Sequence, residues 1–258
     1  MKMVTYLLKK SYQLKDLKEI EFQDLWGDYG VFTTMWIYNS PPKILFFKEH
    51  IQNLLKSIKK YKIYKSSIKK DINKLIKNNI DLNKNYNHLL RVALNKKIIS
   101  ISLRKRVKPK LDFNLKLVKL KREKPEFKNL KYKEILKYLS KMDNSRSDIG
   151  LCSDKKIFET GTSNIFFVKK NKIYSPHINC YKGITYKFFK SKIKSVIKKE
   201  ILLKTLSEYD EIILIGSGKG VASVKTVDKI KWKRKSLKIF NLLNNHYLQA
   251  IKKYPRYK

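Results

Sequence analysis

Glycine is rationed along this chain, and its placement limits where the backbone can turn sharply. Of eight glycines in 258 residues, five lie in three stretches of the second half: Glu159-Thr-Gly161-Thr-Ser163-Asn164, Gly183-Ile184-Thr185 and Gly216-Ser217-Gly218-Lys219-Gly220. Two more, Gly27 and Gly30, belong to the turn around Trp26. In so glycine-poor a sequence each marks a special backbone conformation or a close approach. The first stretch reads as a strand that breaks and restarts, with Ile157-Phe158-Glu159 before the polar turn and Ile165-Phe166-Phe167-Val168 after it. The second heads a helix predicted over Thr185 to Glu200, burying Phe188, Phe189, Ile193, Val196 and Ile197. The third ends a buried strand, Glu211 to Ile215. It has the composition of a nucleotide-binding phosphate loop but not the spacing, because no Ser or Thr follows Lys219.

The remaining pattern fills in around these turns. Met3 to Leu8, Val31 to Tyr38 and Ile44 to Phe47 read as strands. Ile51, Leu54, Leu55 and Ile58 follow helical spacing within Lys48 to Tyr61, as do Ile68, Ile72 and Ile76 in the next segment. Leu89 to Leu94 and Ile98 to Leu103 form a hairpin around Asn95-Lys96-Lys97. This is an α+β layout, with helices on one face of an antiparallel sheet. The polar, proline-marked run from Arg104 to Lys110 reads as a linker. The expected division is therefore residues 1–106, a linker at 107–112, and residues 113–258. In the last part, Asn114 to Leu120 alternates like a strand and Leu130 to Met142 reads as a helix. Hairpins follow at Ile149–Cys152 with Lys156–Glu159, and at Ile165–Val168 with Lys172–Tyr174.

Sixty-one Lys and Arg against twenty-one Asp and Glu give a formal charge of +40, which invites a nucleic-acid reading. The surplus is almost all lysine, spread from Lys2 to Lys258, with only seven arginines, and alanine is limited to three residues. Such a bias follows an AT-rich coding background, and the basic residues form no stripe interleaved with stacking aromatics. No nucleic-acid partner is expected; the positive field suits a small anionic substrate. Cys152 and Cys180 fit neither a metal site nor a disulfide framework, and the four histidines are scattered, so no metal is expected. No apolar run reaches membrane-spanning length, and the first ten residues lack a signal peptide's apolar core. A cytoplasmic protein without a membrane partner is the expectation.

The chemistry lies in the second half. A carboxylate entering a tight turn, with hydroxyl and amide side chains inside it, suits gripping a flat polar ring. Backbone N–H groups and a Thr hydroxyl at a helix N-terminus suit a phosphate. The two together point to a phosphorylated ring cofactor, best matched by pyridoxal 5'-phosphate. Each stretch taken alone also reads as a structural turn or an ordinary helix start.

Four stretches carry a resemblance to a known family: Gly30-Val-Phe-Thr33-Thr34, Phe127-Lys128-Asn-Leu130, Glu159 to Phe166, and Gly183-Ile184-Thr185. The chain resembles the class IV aminotransferases, the fold-type IV pyridoxal-phosphate enzymes. The resemblance implies a two-domain α/β (α+β) fold, with a small N-terminal α/β sandwich, a larger barrel-like cofactor-binding domain, and a homodimer. It implies that Lys128 holds the cofactor covalently and serves as acid and base, in preference to Lys131 or Lys133. Tyr132 would touch the phenolic oxygen of pyridoxal 5'-phosphate, and Glu159 would pair with the pyridine nitrogen. Ser163 and Asn164 would flank the ring, with Gly183, Ile184, Thr185, Ser217 and Gly218 on the phosphate side. Phe32-Thr33-Thr34 is similar to the lyase branch, where aminotransferases have Glu soon after the aromatic. That implies 4-amino-4-deoxychorismate lyase, with Thr33 or Thr34 orienting substrate or lysine. The alternative is an aminotransferase of branched-chain or D-amino-acid type. Where the family has an arginine on the phosphate, His50-Ile-Gln-Asn53-Leu54 carries asparagine.

Overall fold

The structure, a computed structural model, describes residues 5–257. The chain is organised as two units. Of the described residues, the first comprises those up to Arg106, Phe127–Lys133 and those from Tyr254 on. The second comprises Val107–Glu126 and Glu134–Lys253.

The first unit is built on a six-stranded antiparallel sheet. Its chain order is β1 (Tyr6–Gln13), β2 (Glu19–Ile20), β3 (Val31–Asn39), β4 (Lys43–Ile44), helices α1 (Phe47–Lys60) and α2 (Ile68–Asn79), then β5 (Tyr86–Leu94) and β6 (Ile98–Lys105). The spatial order is β2-β1-β6-β5-β3-β4. Strand β3 is rich in β-branched and aromatic residues and pairs with β5 along its whole length, from Val31 opposite Leu94 to Asn39 opposite Tyr86. Its alternation divides the work. Val31, Met35 and Ile37 join Ile51, Leu54 and Ile58 of α1 and Ile72, Leu75 and Ile76 of α2 in one core. Phe32, on the other face, packs with Leu25, Ala93 and Leu130.

Two strand predictions shift here. The first strand begins at Tyr6 and runs on to Gln13, held by its pairing with β6 and by a buried Ser11–Ser100 hydroxyl contact of 2.8 Å. Met3 and Val4, where it was expected to start, lie outside the described residues. The strand expected over Ile44 to Phe47 stops at Ile44, because Phe46 turns into the left-handed region (φ 56°) and Phe47 opens α1.

Phe127–Lys133 also departs from expectation. The Phe32 amide donates to the Lys128 carbonyl at 3.0 Å, Leu130 N–H to Gly30 O at 3.0 Å and Gly27 N–H to Leu130 O at 2.8 Å. The stretch thus lines the start of β3 as extended chain, and the helix expected from Leu130 to Met142 is confined to α3 (Lys133–Leu139). Tyr257 N–H likewise donates to Pro42 O at 2.8 Å. Residues 113–258 are therefore not one uninterrupted body.

The second unit carries β7 (Phe113–Lys119), β8 (Ser147–Ser153), β9 (Lys156–Thr160), β10 (Asn164–Lys169), β11 (Lys172–Ser175), α4 (Ile184–Lys192), β12 (Val196–Lys198), β13 (Ile201–Leu202), β14 (Glu211–Gly216), β15 (Gly220–Val227), β16 (Trp232–Lys233) and α5 (Lys238–Lys253). The sheet runs β12-β11-β10-β14-β15-β7-β8-β9-β13, with β16 on β15. Strands β9 and β10 stand five places apart in that order, yet only Gly161–Ser163 joins them, so the sheet must curl back on itself as a half-barrel. Phe113, Leu115, Ile165, Phe167, Ile212, Leu214 and Val224 fill one core. Glu211 accepts the Ile239 and Phe240 amides at 2.9 and 2.8 Å, placing a carboxylate on the N-terminus of α5. The helix expected over Thr185 to Glu200 ends at Lys192. Val196 and Ile197, expected in its buried face, instead form an edge strand parallel to β11, and Ile197 is exposed. No helix among the described residues is long and apolar enough to cross a membrane.

Candidate functional site

In the first unit, Thr33 and His50 meet. Thr33 lies on the helix-covered face of β3, and its Oγ1 is 2.8 Å from Nδ1 of His50 on α1, both side chains buried. Burial, reinforced by the charge of Lys128, pushes the His50 imidazole down to about 3, so it is neutral at ordinary pH. Lys128 is half-buried, with Nζ 5.0 Å from the centre of the Phe32 ring, within cation–π range. Tyr132 stands edge-on to Phe32 with ring centres 5.3 Å apart and lies 5.8 Å from Trp26. The neighbouring lysines are occupied elsewhere. Lys131 Nζ donates to Gly27 O at 2.9 Å, and the Lys133 stem fills the space a side chain on Gly27 would need. Thr34 faces the opposite side of the sheet, in register with Arg91. Of the two candidate threonines, the fold brings Thr33 and not Thr34 to His50.

In the second unit, Glu159 is the next-to-last residue of β9 and almost fully buried. Arg122 grips it with two prongs, Nε to Oε1 at 2.6 Å and Nη2 to Oε2 at 3.1 Å, and the Tyr181 amide donates to Oε2 at 3.0 Å. Burial pushes the Glu159 carboxyl up; the charge and hydrogen bonds of Arg122, the Tyr181 N–H and the charge of Lys182 oppose that rise. A carboxylate accepts about four hydrogen bonds, and three are made among the described residues, so Oε1 retains capacity for one more donor there.

The turn after Glu159 is knitted by its own hydroxyls. Thr160 Oγ1 accepts the Ser163 amide at 2.9 Å, and Thr160 N–H donates to Ser163 O at 3.0 Å. Asn164 reaches across to the segment that leads into α4, its Nδ2 donating to Tyr181 O and its Oδ1 accepting the Gly183 amide at 3.0 Å. A Cβ on Gly183 would stand 2.9 Å from that Oδ1, so glycine permits this approach. Gly183 caps α4, whose first residues are Ile184 and Thr185. Thr185 Oγ1 is buried without a hydrogen-bond partner among the described residues. Ser217 and Gly218 are half-buried in the β14–β15 hairpin, and a Cβ on Gly216 would come 3.1 Å from Ser163 Oγ. The two loops abut.

These features suit a phosphorylated ring with a protonated nitrogen. A buried hydroxyl left unpaired costs about 1–3 kcal/mol, and at Thr185 it stands in the first turn of a helix, where an anion is favoured. The spare acceptor on Glu159 suits a ring N–H. Among the described residues, no cluster of three or more His, Cys, Asp or Glu could hold a metal.

Three of these partners escape a reading by local pattern. Arg122 carries a signal in hindsight, as one of seven arginines among sixty-one basic residues. His50 lies in the same helical run as Asn53 but reads as one of four scattered histidines. Lys219 reads only as a failed phosphate loop. It is instead paired with buried Asp148, Nζ to Oδ2 at 3.0 Å.

The sequence profile of the Amino-transferase class IV family matches residues 30–227. No curated protein sequence matches the chain. Among solved structures, the branched-chain aminotransferase of Thermoproteus uzoniensis, determined with norvaline, is similar with a TM-score of 0.75 at 16% identity, over 95% of each chain. A protein assigned as 4-amino-4-deoxychorismate lyase from Legionella pneumophila gives 0.69 at 19% identity, over 86% of this chain and 91% of that one. The branched-chain amino acid aminotransferase of Thermobaculum terrenum in its PLP form gives 0.69 at 16% identity, over 86% and 85%. At such identities the likeness is one of fold.

Proposed function

The chain belongs to the class IV aminotransferase family of pyridoxal-phosphate-dependent enzymes, and within it we propose that the protein is a 4-amino-4-deoxychorismate lyase, releasing pyruvate and 4-aminobenzoate for folate synthesis. The observation that carries this reading is Thr33 held against His50, a buried hydroxyl where the family's aminotransferases have a carboxylate.

Pyridoxal 5'-phosphate, when bound, supplies an electron sink for the substrate's amine-bearing carbon. Glu159 would hold the ring nitrogen, and Arg122 fixes that carboxylate in direction and opposes the rise that burial causes. Thr185, the Ile184 amide and Ser217 would take the phosphate. Lys128 would hold the cofactor, and once freed by substrate its amine would take the proton from the amine-bearing ring carbon, so that the enolpyruvyl group could depart as pyruvate. Thr33, bonded to His50, is a neutral group where a carboxylate would favour a protonated lysine. The protein acts as a homodimer on a small anionic substrate.

The purified protein titrated with pyridoxal 5'-phosphate should develop a near-visible absorbance band that borohydride abolishes. With 4-amino-4-deoxychorismate it should release 4-aminobenzoate and pyruvate in equal amounts. An aminotransferase would instead pass its amino group to a 2-oxo acid, and an amino acid alone would convert the cofactor to its aminated form. That conversion without 4-aminobenzoate release would replace the lyase reading by the aminotransferase one.

A further inference from the structure

Lys219 stands at the tip of the β14–β15 hairpin with its side chain only 9% exposed, and it reaches Asp148, whose side chain is fully buried. Its Nζ also lies 3.0 Å from Thr162 Oγ1 and 5.1 Å from the centre of the Phe113 ring. Asp148 gathers the other side of the cluster. Its Oδ2 accepts Thr160 Oγ1 at 3.0 Å and Thr162 Oγ1 at 2.7 Å, while Oδ1 accepts the Ile149 amide at 2.8 Å. One ion pair therefore joins three segments: the start of β8, the turn after β9, and the hairpin loop. The contrast with Lys10–Glu19 and Lys169–Glu208 is one of burial, since those lysines are 37% and 39% exposed.

Burying a lysine and an aspartate together gives little net stability, because desolvation offsets the attraction. What such a pair fixes is geometry. Two of the segments it joins carry Ser163 and Ser217, and they already touch where Gly216 faces Ser163 Oγ. Gly220, at φ 76°, is the left-handed residue that turns the hairpin back after Lys219. A shift of Lys219 would move Ser217 with it, since the two belong to the same short loop.

We propose that Lys219 and Asp148 are positioning residues that set the separation of the Thr160–Asn164 turn from the 216–220 loop, and through it the affinity for the cofactor's phosphate. This rests on the reading that the chain binds pyridoxal 5'-phosphate. The test uses the double variant Lys219→Met/Asp148→Asn, which removes both charges and strands neither. Dissociation constants are measured by absorbance titration for pyridoxal 5'-phosphate and for pyridoxal, with thermal unfolding of the cofactor-free protein alongside. The phosphorylated ligand should lose at least about tenfold in affinity, pyridoxal should change less than about twofold, and the melting temperature should hold or rise. Equal loss for both ligands, or none for either, would overturn the proposal. If the double variant does not fold, Lys219→Arg, which keeps the charge pair but changes its reach, supplies the same comparison. Wild-type protein that binds neither ligand would instead overturn the cofactor reading, and this proposal with it.

Discussion

Arg122 and Glu159 form a buried two-pronged ion pair, 2.6 Å at its shorter contact, across thirty-seven positions of sequence. Removing one partner strands the other charge in a low-dielectric interior. Arg122→Met should therefore destabilise the cofactor-free protein by about 3–5 kcal/mol. Adding Glu159→Gln should restore most of that loss, because an amide tolerates burial better than an unpaired carboxylate. Urea unfolding of both single variants and the double gives the cycle. Additive effects would show that the pair is not coupled.

Thr185→Val isolates the orphaned hydroxyl. The substitution keeps the shape and removes a buried group with no partner, so the cofactor-free protein should be unchanged or stabilised by about 1 kcal/mol. Affinity for pyridoxal 5'-phosphate should fall by about tenfold, the value of one hydrogen bond to a charged group. Calorimetry and absorbance titration read the two effects, and a matching loss in both would assign Thr185 a packing role only.

His50 makes stability depend on pH. The unfolded chain protonates it near 6.5 and the folded protein only near about 3, so between those values the unfolded state binds the extra proton. Its contribution is complete above about pH 6.5 and declines as pH falls, by up to about 1.4 kcal/mol per pH unit. His50→Gln should unfold with a shallower acid dependence than wild type between about pH 6.5 and about pH 4.5. Parallel curves would mean that His50 is not held neutral.

Lys128→Ala should abolish the borohydride-sensitive absorbance band, while Lys131→Ala and Lys133→Ala should retain it. Lys131 is bonded to Gly27 O, and the stem of Lys133 is packed against Gly27, so both have structural roles in place of a chemical one. Reduction with borohydride followed by peptide mapping identifies the modified lysine directly. A label on Lys131 or Lys133 would relocate the chemistry.

Local periodicity made much of the fold legible. Strand β3, helix α1 and the β5–β6 hairpin follow alternation or helical spacing that few competing structures satisfy. The turn from Thr160 to Asn164 was legible because its glycine and hydroxyls admit few backbone paths. Elements decided by distant partners were not. Val196 and Ile197 fit a helical stripe, yet the free edge of β11 recruits them. Leu130 reads as a helix start, yet its amide donates to Gly30 O. The candidate site divides the same way: Glu159 stands out from its turn, whereas Arg122, His50 and Asp148 gain meaning only from side chains far along the chain.

The place of Tyr254 and Tyr257 in the first unit bears on how that unit matures during synthesis. Tyr254 lies edge-on to Phe46, Tyr257 to Phe47, and Pro42 O receives the Tyr257 amide. A nascent chain can assemble the sheet and both helices early, but the aromatic cover over the start of α1 must wait until the whole second unit has left the ribosome. Until then Phe46 and Phe47 lack that cover.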